Sequence, residues 1–468
     1  MARIVIIGAG ISGLAAAARL ATIGHRVTVF EAAPTYGGML GRHQHEGFAF
    51  DTGPTLLTLP AVYRDLALKT GREPLEQLVE LAPVEPESRH LFADGTALAL
   101  PNASRGGVAQ ALDAALGAGA GERWGAVMNR GRAVWEATRR PLLEEPLPAD
   151  PAPLAADPYP AAPRRGLARL LPGGGTPSLD QVAARELGGH PALTALLTEY
   201  ALRFGLDPRT APAGATVIPY MEQTFGVWYV QGGLRALADA VFRRCEQRGV
   251  EFRFGERVGA DQPIDADLVL RPAPGDPRAP GRFTVLLALR GARPPGTAHR
   301  TVVHAADRAE ELDALFGTGG PPRLCARPTV QVLRPDDPSL RPDAEHEAVT
   351  LTVTVPSQAQ LDWTVPGRAE RFADQLLTRL DAAGLGLAER VLRRELRTPA
   401  DTERETSAPG GAVPRPSLAG AGGGFLRPAN AVPGHPGHYL VGGGAHPGGG
   451  LARAGMSACV VAGLIGPA

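Results

Sequence analysis

Two kinds of pattern alternate along the chain: short β-branched apolar runs that end in glycine, and longer stretches with apolar positions at helical spacing. Residues 3–7 form the first run and predict a strand of a buried parallel sheet. Gly8 to Gly13 breaks it. Residues 14–23 are Ala-rich and predict a helix that Gly24 and His25 end; residues 27–30 predict a second strand. This is the start of a βαβ unit. Residues 57–100 mix short helical and strand patterns. Residues 108–145 predict helices, with Trp124, Val127, Val134 and Trp135 among their apolar positions. Residues 146–177 are rich in Pro and Gly and predict a loop or linker. Helical patterning resumes over 179–206.

In the second half, residues 227–230 predict a strand, Gly232-Gly233 a turn, 234–247 a helix and 251–254 another strand. Residues 271–282 are turn-rich. Runs at 283–289, 301–304, 330–333 and 349–355 then predict a sheet, and 369–383 a helix. Residues 407–424 are loop-like. The chain closes with a strand at 439–441, a Gly-rich turn and a helix over 451–465. No internal repeat is visible.

Composition narrows the possibilities. A chain of 468 residues predicts two or three domains. Hydrophobic residues make up 44% and charged residues 21%, an ordinary globular balance. Lys plus Arg equals Asp plus Glu, at 48 each, so no net positive field draws nucleic acid and none is expected as a partner. Cys245, Cys325 and Cys459 stand alone, without metal-ligand spacing, so neither a metal site nor a disulfide framework is expected. The first residues lack the pattern of a signal peptide, and no apolar run reaches the roughly 18–20 residues of a membrane span. A cytoplasmic location is expected, with peripheral membrane contact left open.

The glycines carry the first chemistry. Gly8-Ala9-Gly10-Ile11-Ser12-Gly13 is a GxGxxG between a predicted strand and a predicted helix. Gly8 serves the tight turn, Gly10 lets the backbone approach a pyrophosphate, and Gly13 lets helix and strand pack closely. The helix start offers free N–H groups to phosphate. Glu31 ends the second strand, where an acid bonds ribose hydroxyls and disfavours a 2′-phosphate. These residues predict a dinucleotide site without separating FAD from NAD. A second Gly-rich segment, Gly37 to Gly41, leads to Asp51-Thr52-Gly53-Pro54-Thr55, and a third, Gly442 to Gly450, lies near the far end. In the third, a strand runs into glycines and a small-residue helix begins. Such a helix start stabilises the negative charge of a reduced flavin.

Together these segments resemble the bacterial-type phytoene desaturase family of FAD-dependent carotenoid desaturases. The resemblance spans nearly the whole chain. It rests on Asp51 to Thr55, Val217-Ile218-Pro219-Tyr220, Phe225-Gly226-Val227-Trp228-Tyr229 with Gly232-Gly233, Leu361-Asp362-Trp363-Thr364, Thr398-Pro399-Ala400-Asp401 and His446-Pro447-Gly448-Gly449-Gly450. It implies an α/β (α+β) fold: a split Rossmann-like FAD-binding domain (residues 1–65, 226–275 and 435–468), a β-sheet substrate domain (66–100 and 276–434) and a helical lid or membrane-facing region (101–225). It implies FAD contacts from Gly8, Gly10, Ile11, Ser12, Gly13, Glu31, Ala32, Gly38, Met39, Leu40, Thr55, Val258, Gly444, Gly450 and Leu451. It also implies an apolar polyene or carotenoid-like substrate, and oxygen or a quinone as electron acceptor.

The sequence departs from the family pattern at four places. Met39 stands where members often carry Arg or Lys. Ala445 stands where Thr is usual. Leu451-Ala452-Arg453-Ala454 brings a charge into a stretch that is normally apolar and contains Pro. After Arg257-Val258 the usual β-meander is missing, and Ala266-Asp267-Leu268-Val269-Leu270 follows almost at once.

Desaturation removes a hydride from one carbon and a proton from its neighbour, so it asks for an apolar tunnel over a flavin more than for a polar triad. His446 is the one candidate base; it can equally serve as a structural histidine in its turn. His299 and His304 flank a strand and fit sheet packing. Trp228, Tyr229 and Trp363 are tunnel or core residues. Arg164, Arg165 and Arg169 fit a solvated loop or a contact with anionic lipid. Three activities stay open: desaturation, FAD-dependent isomerisation or reductive cyclisation of a polyene, and a non-catalytic homologue.

Overall fold

The computed structural model describes residues 1–160, 176–259 and 262–468; Arg164, Arg165 and Arg169 lie outside the described residues. Five parallel strands form one sheet, in the order Glu251–Phe254, Arg26–Glu31, Arg3–Ile7, Leu268–Pro272 and His438–Val441. Three distant parts of the chain thus share a sheet. The β-branched first run takes the centre, with Ile4 and Ile6 buried. Helix Ile11–Thr22 packs against Arg235–Gln247 and Leu451–Ile465. Its alanines Ala15 to Ala18 are all buried, and small side chains let helices approach closely.

The absent meander leaves this sheet whole. After Glu251–Phe254 the chain reaches Leu268–Pro272, which places Leu268 opposite Ile4 and Leu270 opposite Ile6. The turn-rich stretch expected from residue 271 therefore begins two residues later, because strand pairing continues through Pro272 opposite Val441. Pro272 tolerates this place at a strand end.

A second, seven-stranded sheet runs Val391–Arg397, Gly281–Arg290, His346–Val355, Val330–Leu333, Arg300–Val303, Ser88–Leu91 and Ala97–Leu100. Its pairs are antiparallel except Arg300–Val303 with Ser88–Leu91. Phe283, Trp363 and Phe372 stack in its core. Val391–Arg397 escaped the sequence pattern because it is an edge strand of mostly charged residues. His346–Val355 starts earlier than its apolar run does. Glu347, fully buried, is neutralised there by Arg334 at 2.7 Å and Arg390 at 3.0 Å.

The helical part comprises Arg105–Leu116, Ala120–Arg139, a wide turn at Arg140–Glu144, Leu179–Glu186, Pro191–Leu202 and Val217–Phe225. The helical pattern expected over 179–206 splits at Gly188 and Gly189, both left-handed, with φ of 66° and 62°. Among the described residues no helix is long and apolar enough to cross a membrane. Arg308–Phe316 is a further helix that the sequence reading left unassigned; Asp307 caps it by accepting from the N–H groups of Ala309 and Glu310.

Glu311 on that helix is buried and accepts from the Thr329 hydroxyl at 3.0 Å. Burial outweighs this bond and pushes its carboxyl up to about 7. A carboxyl raised on folding favours the folded state while protonated. Its contribution is full below the ordinary value of 4.5 and is lost as pH rises toward about 7. Urea midpoints measured from pH 5 to pH 8 should therefore fall less steeply in Glu311→Gln than in the parent.

Candidate functional site

Strand Arg3–Ile7 runs into Gly8, whose φ of 95° is left-handed. The Gly8 N–H donates to the Phe30 carbonyl at 2.7 Å, tying the turn to the neighbouring strand. A β-carbon on Gly13 would lie 2.1 Å from the Gly8 carbonyl oxygen, so the third glycine is a packing requirement. Above Gly8 and Gly10 no atom lies within 4 Å of where a β-carbon would be. Helix Ile11–Thr22 starts from Gly10 without a side-chain cap, so its first N–H groups are open. An open glycine surface beside an uncapped helix start fits a pyrophosphate.

Glu31 sits against this loop. Its carboxylate accepts from the Ala9 N–H at 2.7 Å and the Ala33 N–H at 2.8 Å. Ala32 between them is exposed. The N–H groups of Gly255 and Glu256 donate to Ala33 and Glu31, which draws the stretch leading to Val258 toward the same corner. The second glycine segment joins through Gly37, which donates to the Ala9 carbonyl at 2.9 Å. A β-carbon on Gly38 would lie 3.1 Å from the Gly10 Cα. One on Gly53 would lie 2.0 Å from the Met39 carbonyl oxygen, so Met39 lies between the loop and the segment that leads to Thr55. The Leu40 side chain is buried in the core, leaving only its backbone for a ligand.

Asp51 has a role that motif spacing did not disclose. Its carboxylate accepts from the N–H groups of Leu234 at 2.8 Å and Arg235 at 3.2 Å, capping helix Arg235–Gln247. Burial raises its carboxyl to about 6 despite those bonds. Gly233 is required beneath it: a β-carbon there would lie 2.7 Å from the carboxylate. Arg235 in turn donates to the Tyr36 carbonyl at 2.8 Å, so Asp51 and Arg235 together brace the second glycine segment.

The third glycine segment is held by backbone on both sides. A β-carbon on Gly449 would lie 1.7 Å from the Pro414 carbonyl oxygen, and one on Gly444 2.4 Å from that of Ala273. Asn430, which the sequence did not single out, donates to the carbonyls of Leu440 at 3.0 Å and His446 at 2.9 Å. A β-carbon on Gly442 would lie 3.4 Å from the Ser12 hydroxyl, so the first and third segments meet. Helix Leu451–Ile465 starts from Gly450 and, like the first helix, has no side-chain cap. Tyr63 steadies it by donating to the Leu451 carbonyl at 2.9 Å.

His446 is fully buried, and its Nε2 is paired with the Glu145 carbonyl at 2.9 Å. Burial lowers its pKa, which keeps the ring neutral. The Glu145 contact makes it a strut between the glycine loop and the turn at Arg140–Glu144, while its Nδ1 is buried without a hydrogen-bond partner among the described residues. His304 pairs with His90 at 2.9 Å within the large sheet, and His299 packs on Tyr229. Trp363 is core, and Tyr229 donates to Asp337 at 2.7 Å.

A cleft opens beside the third segment. Val134, Trp135, Leu142, Leu143, Val217 and Leu418 give it apolar walls, and Arg453, in the first turn of the last helix, closes one part of it. Trp135 is therefore the aromatic of the cleft, while Trp228 and Tyr229 lie elsewhere.

Comparison with known proteins agrees with this geometry. The family model for flavin containing amine oxidoreductase matches residues 11–260. The chain is 30% identical to a phytoene dehydrogenase of Streptomyces griseus, over 96% of this chain and 92% of that one. It is 30% identical to a hydroxyneurosporene desaturase of Rhodobacter capsulatus, over 96% and 95%. Among solved structures, a putrescine oxidase superimposes with a TM-score of 0.61 at 15% identity, covering 99% of this chain and 98% of that one. An oxidoreductase from Methanosarcina mazei gives 0.58 at 17% identity, covering 98% and 99%. Likeness at that identity speaks for the fold alone. The fold, the open glycine surfaces and the full-length relatives converge: the chain belongs to the flavin-containing amine oxidoreductase family, as an FAD-dependent oxidoreductase related to the bacterial carotenoid desaturases.

Proposed function

We propose that this enzyme introduces double bonds into a long apolar polyene. The observation that carries the reading is the full-length likeness to the two relatives, and the mostly apolar lining beside the first turn of the last helix marks where a polyene would enter. The names of its relatives, a phytoene dehydrogenase and a hydroxyneurosporene desaturase, support it. In this reading, bound FAD supplies the hydride acceptor. Gly8, Gly10, Ile11, Ser12 and Gly13 hold the pyrophosphate, and Glu31, Ala32 and Val258 the adenosine end. Gly38, Met39, Leu40, Thr55, Gly444, Gly450 and Leu451 surround the flavin. The walls of Val134, Leu142, Leu143 and Val217 align the chain. Among the described residues that line the cleft there is no carboxylate and no imidazole, so the proton leaves from an allylic cation to solvent.

The reading divides the chain into the FAD-binding, substrate and helical parts expected from the sequence. It places the enzyme in the cytoplasm against a membrane that stores the polyene, with oxygen or a quinone as final acceptor. Anaerobic mixing of the FAD-loaded enzyme with phytoene, neurosporene or a shorter polyene tests it. The yellow flavin absorbance should bleach, and the product should be two hydrogens lighter. Failure to bleach with every polyene would refute the reading. Arg453 favours a second reading, isomerisation or reductive cyclisation of a more polar polyene. Its signature is a product of unchanged or greater mass.

A further inference from the structure

Arg453 differs from the ion-paired arginines of the interior; Arg282, which donates to the Arg203 carbonyl, is another largely enclosed guanidinium without a carboxylate, but it lies away from this cleft. Arg300 reaches Glu222 at 2.8 Å, Arg203 reaches Glu199 at 3.1 Å, and Arg334 reaches Glu347 at 2.7 Å. Among the described residues no carboxylate pairs with Arg453. Among the described residues its side-chain polar contact is the Met221 sulfur, 3.9 Å from Nη2. Burial is the sole influence on its guanidinium and pushes it down to about 10, so the group remains charged at neutral pH. A largely enclosed cation without a carboxylate is costly to keep, and one that lines a cleft is placed to meet an anionic ligand.

The surroundings state what that ligand is. The guanidinium lines the cleft, whose other walls are mostly apolar, with Thr138, Arg139 and Ser417 as the polar exceptions. It also curls back over the start of its own helix: a β-carbon on Gly450 would lie 3.6 Å from Nη1. The uncapped N–H groups of that helix start face an anion with the same sign of charge. A single guanidinium matches a single carboxylate, which it can grip through two parallel hydrogen bonds. A diphosphate would call for more cations. The other arginine of the cleft, Arg139, lies 3.9 Å from Glu144 and is already opposed.

We infer that Arg453 binds the carboxylate of a polyene acid, so that the substrate is a long apolar chain with one acidic end held beside the start of the last helix. This rests on the polyene reading above and sharpens it. The acid end fixes the register of the chain, and so decides which bond lies over the flavin.

Binding of all-trans-retinoic acid, its methyl ester and the hydrocarbon phytoene to the FAD-loaded enzyme tests the inference. Quenching of flavin fluorescence serves as the readout. The acid should bind about ten- to a hundredfold more tightly than the ester. Arg453→Met, close in shape and uncharged, should erase that preference, read as the ratio of acid to ester affinity on FAD-loaded protein. Arg453→Lys should keep part of it. Equal binding of acid and ester by the parent enzyme overturns the inference. So does an Arg453→Met variant that sheds FAD while keeping the acid preference, because the guanidinium would then serve the flavin. If phytoene binds and is desaturated while the acid is rejected, the polyene reading stands and this inference falls. If no polyene binds, the reading itself falls and takes the inference with it.

Discussion

Gly13→Ala is expected to cost the enzyme both its flavin and several degrees of melting temperature, whereas Gly10→Ala is expected to cost the flavin alone. The two glycines lie in one motif but meet different surroundings. At Gly13 a methyl group would stand 2.1 Å from the Gly8 carbonyl oxygen and 3.6 Å from the Ile6 side chain. The first is a backbone atom and cannot swing aside. Relieving the clash pushes helix Ile11–Thr22 off the strand and strains the 2.7 Å bond from Gly8 to Phe30. Overpacking of this kind costs about 1–3 kcal/mol, and the displaced N–H groups no longer converge on a phosphate. At Gly10 the backbone is extended, with φ −69° and ψ 169°, a conformation open to alanine. A methyl there meets nothing within 4 Å. It projects into the space a pyrophosphate would fill. FAD affinity should fall about tenfold or more with the melting temperature of the apoprotein unchanged. Flavin absorbance after gel filtration, read beside thermal unfolding of both variants, checks the pair. Equal behaviour of the two would mean that the open surface at Gly10 is not the cofactor's.

That contrast marks how far the sequence could be read. Gly8, Gly10 and Gly13 answer local needs of a strand–turn–helix, and local needs leave a fixed spacing. The same holds for strands 227–230, 251–254 and 330–333, whose apolar or alternating patterns coincide with their final bounds. What stayed hidden depends on partners far along the chain. His446 meets Glu145 across 301 residues, and Asp51 caps a helix 183 residues away. Neither contact alters the pattern around the residues that make it. Asn430 holds the third glycine segment through two carbonyls, and nothing near it in the sequence separates it from an ordinary loop asparagine. The strand order was equally illegible. Leu268–Pro272 reads as a short apolar run, and only its neighbours show that it keeps the parallel sheet closed where the meander is missing. Charged strands such as Val391–Arg397 escape for the opposite reason, since an edge strand needs only one buried face.

Arg300→Met should be the most destabilising single change outside the glycines, at about 3–5 kcal/mol, because it leaves two buried carboxylates facing each other. Arg300 begins strand Arg300–Val303 and lies between Glu87 and Glu222, all three almost wholly buried. Glu222 belongs to helix Val217–Phe225 and is shared with Arg203 at 3.0 Å; Arg203 also holds Glu199, which accepts from Gln331 at 2.7 Å. The network is thus the polar seam between the helical part and the seven-stranded sheet. Burial drives the Glu87 carboxyl up to about 7 even with Arg300 present. Burial also opposes ionisation of Glu222, but Arg203 and Arg300 together outweigh it and hold that carboxyl well below the usual range. Without Arg300 both carboxyls rise. Groups raised on folding favour the folded state while protonated, so the deficit of Arg300→Met should be largest above pH 7 and should shrink toward pH 5. Adding Glu87→Gln should restore part of the loss at pH 8 and little at pH 5. Urea midpoints of the single and double variants at the two pH values decide it, and a deficit independent of pH would assign Arg300 a packing role instead. The seam also bears on the cleft, since Val217 and Met221 line it from the helix that carries Glu222. Loosening Glu222 frees the wall against which Arg453 rests. Arg300→Met should therefore weaken polyene binding even at pH 5, where much of the fold's stability returns.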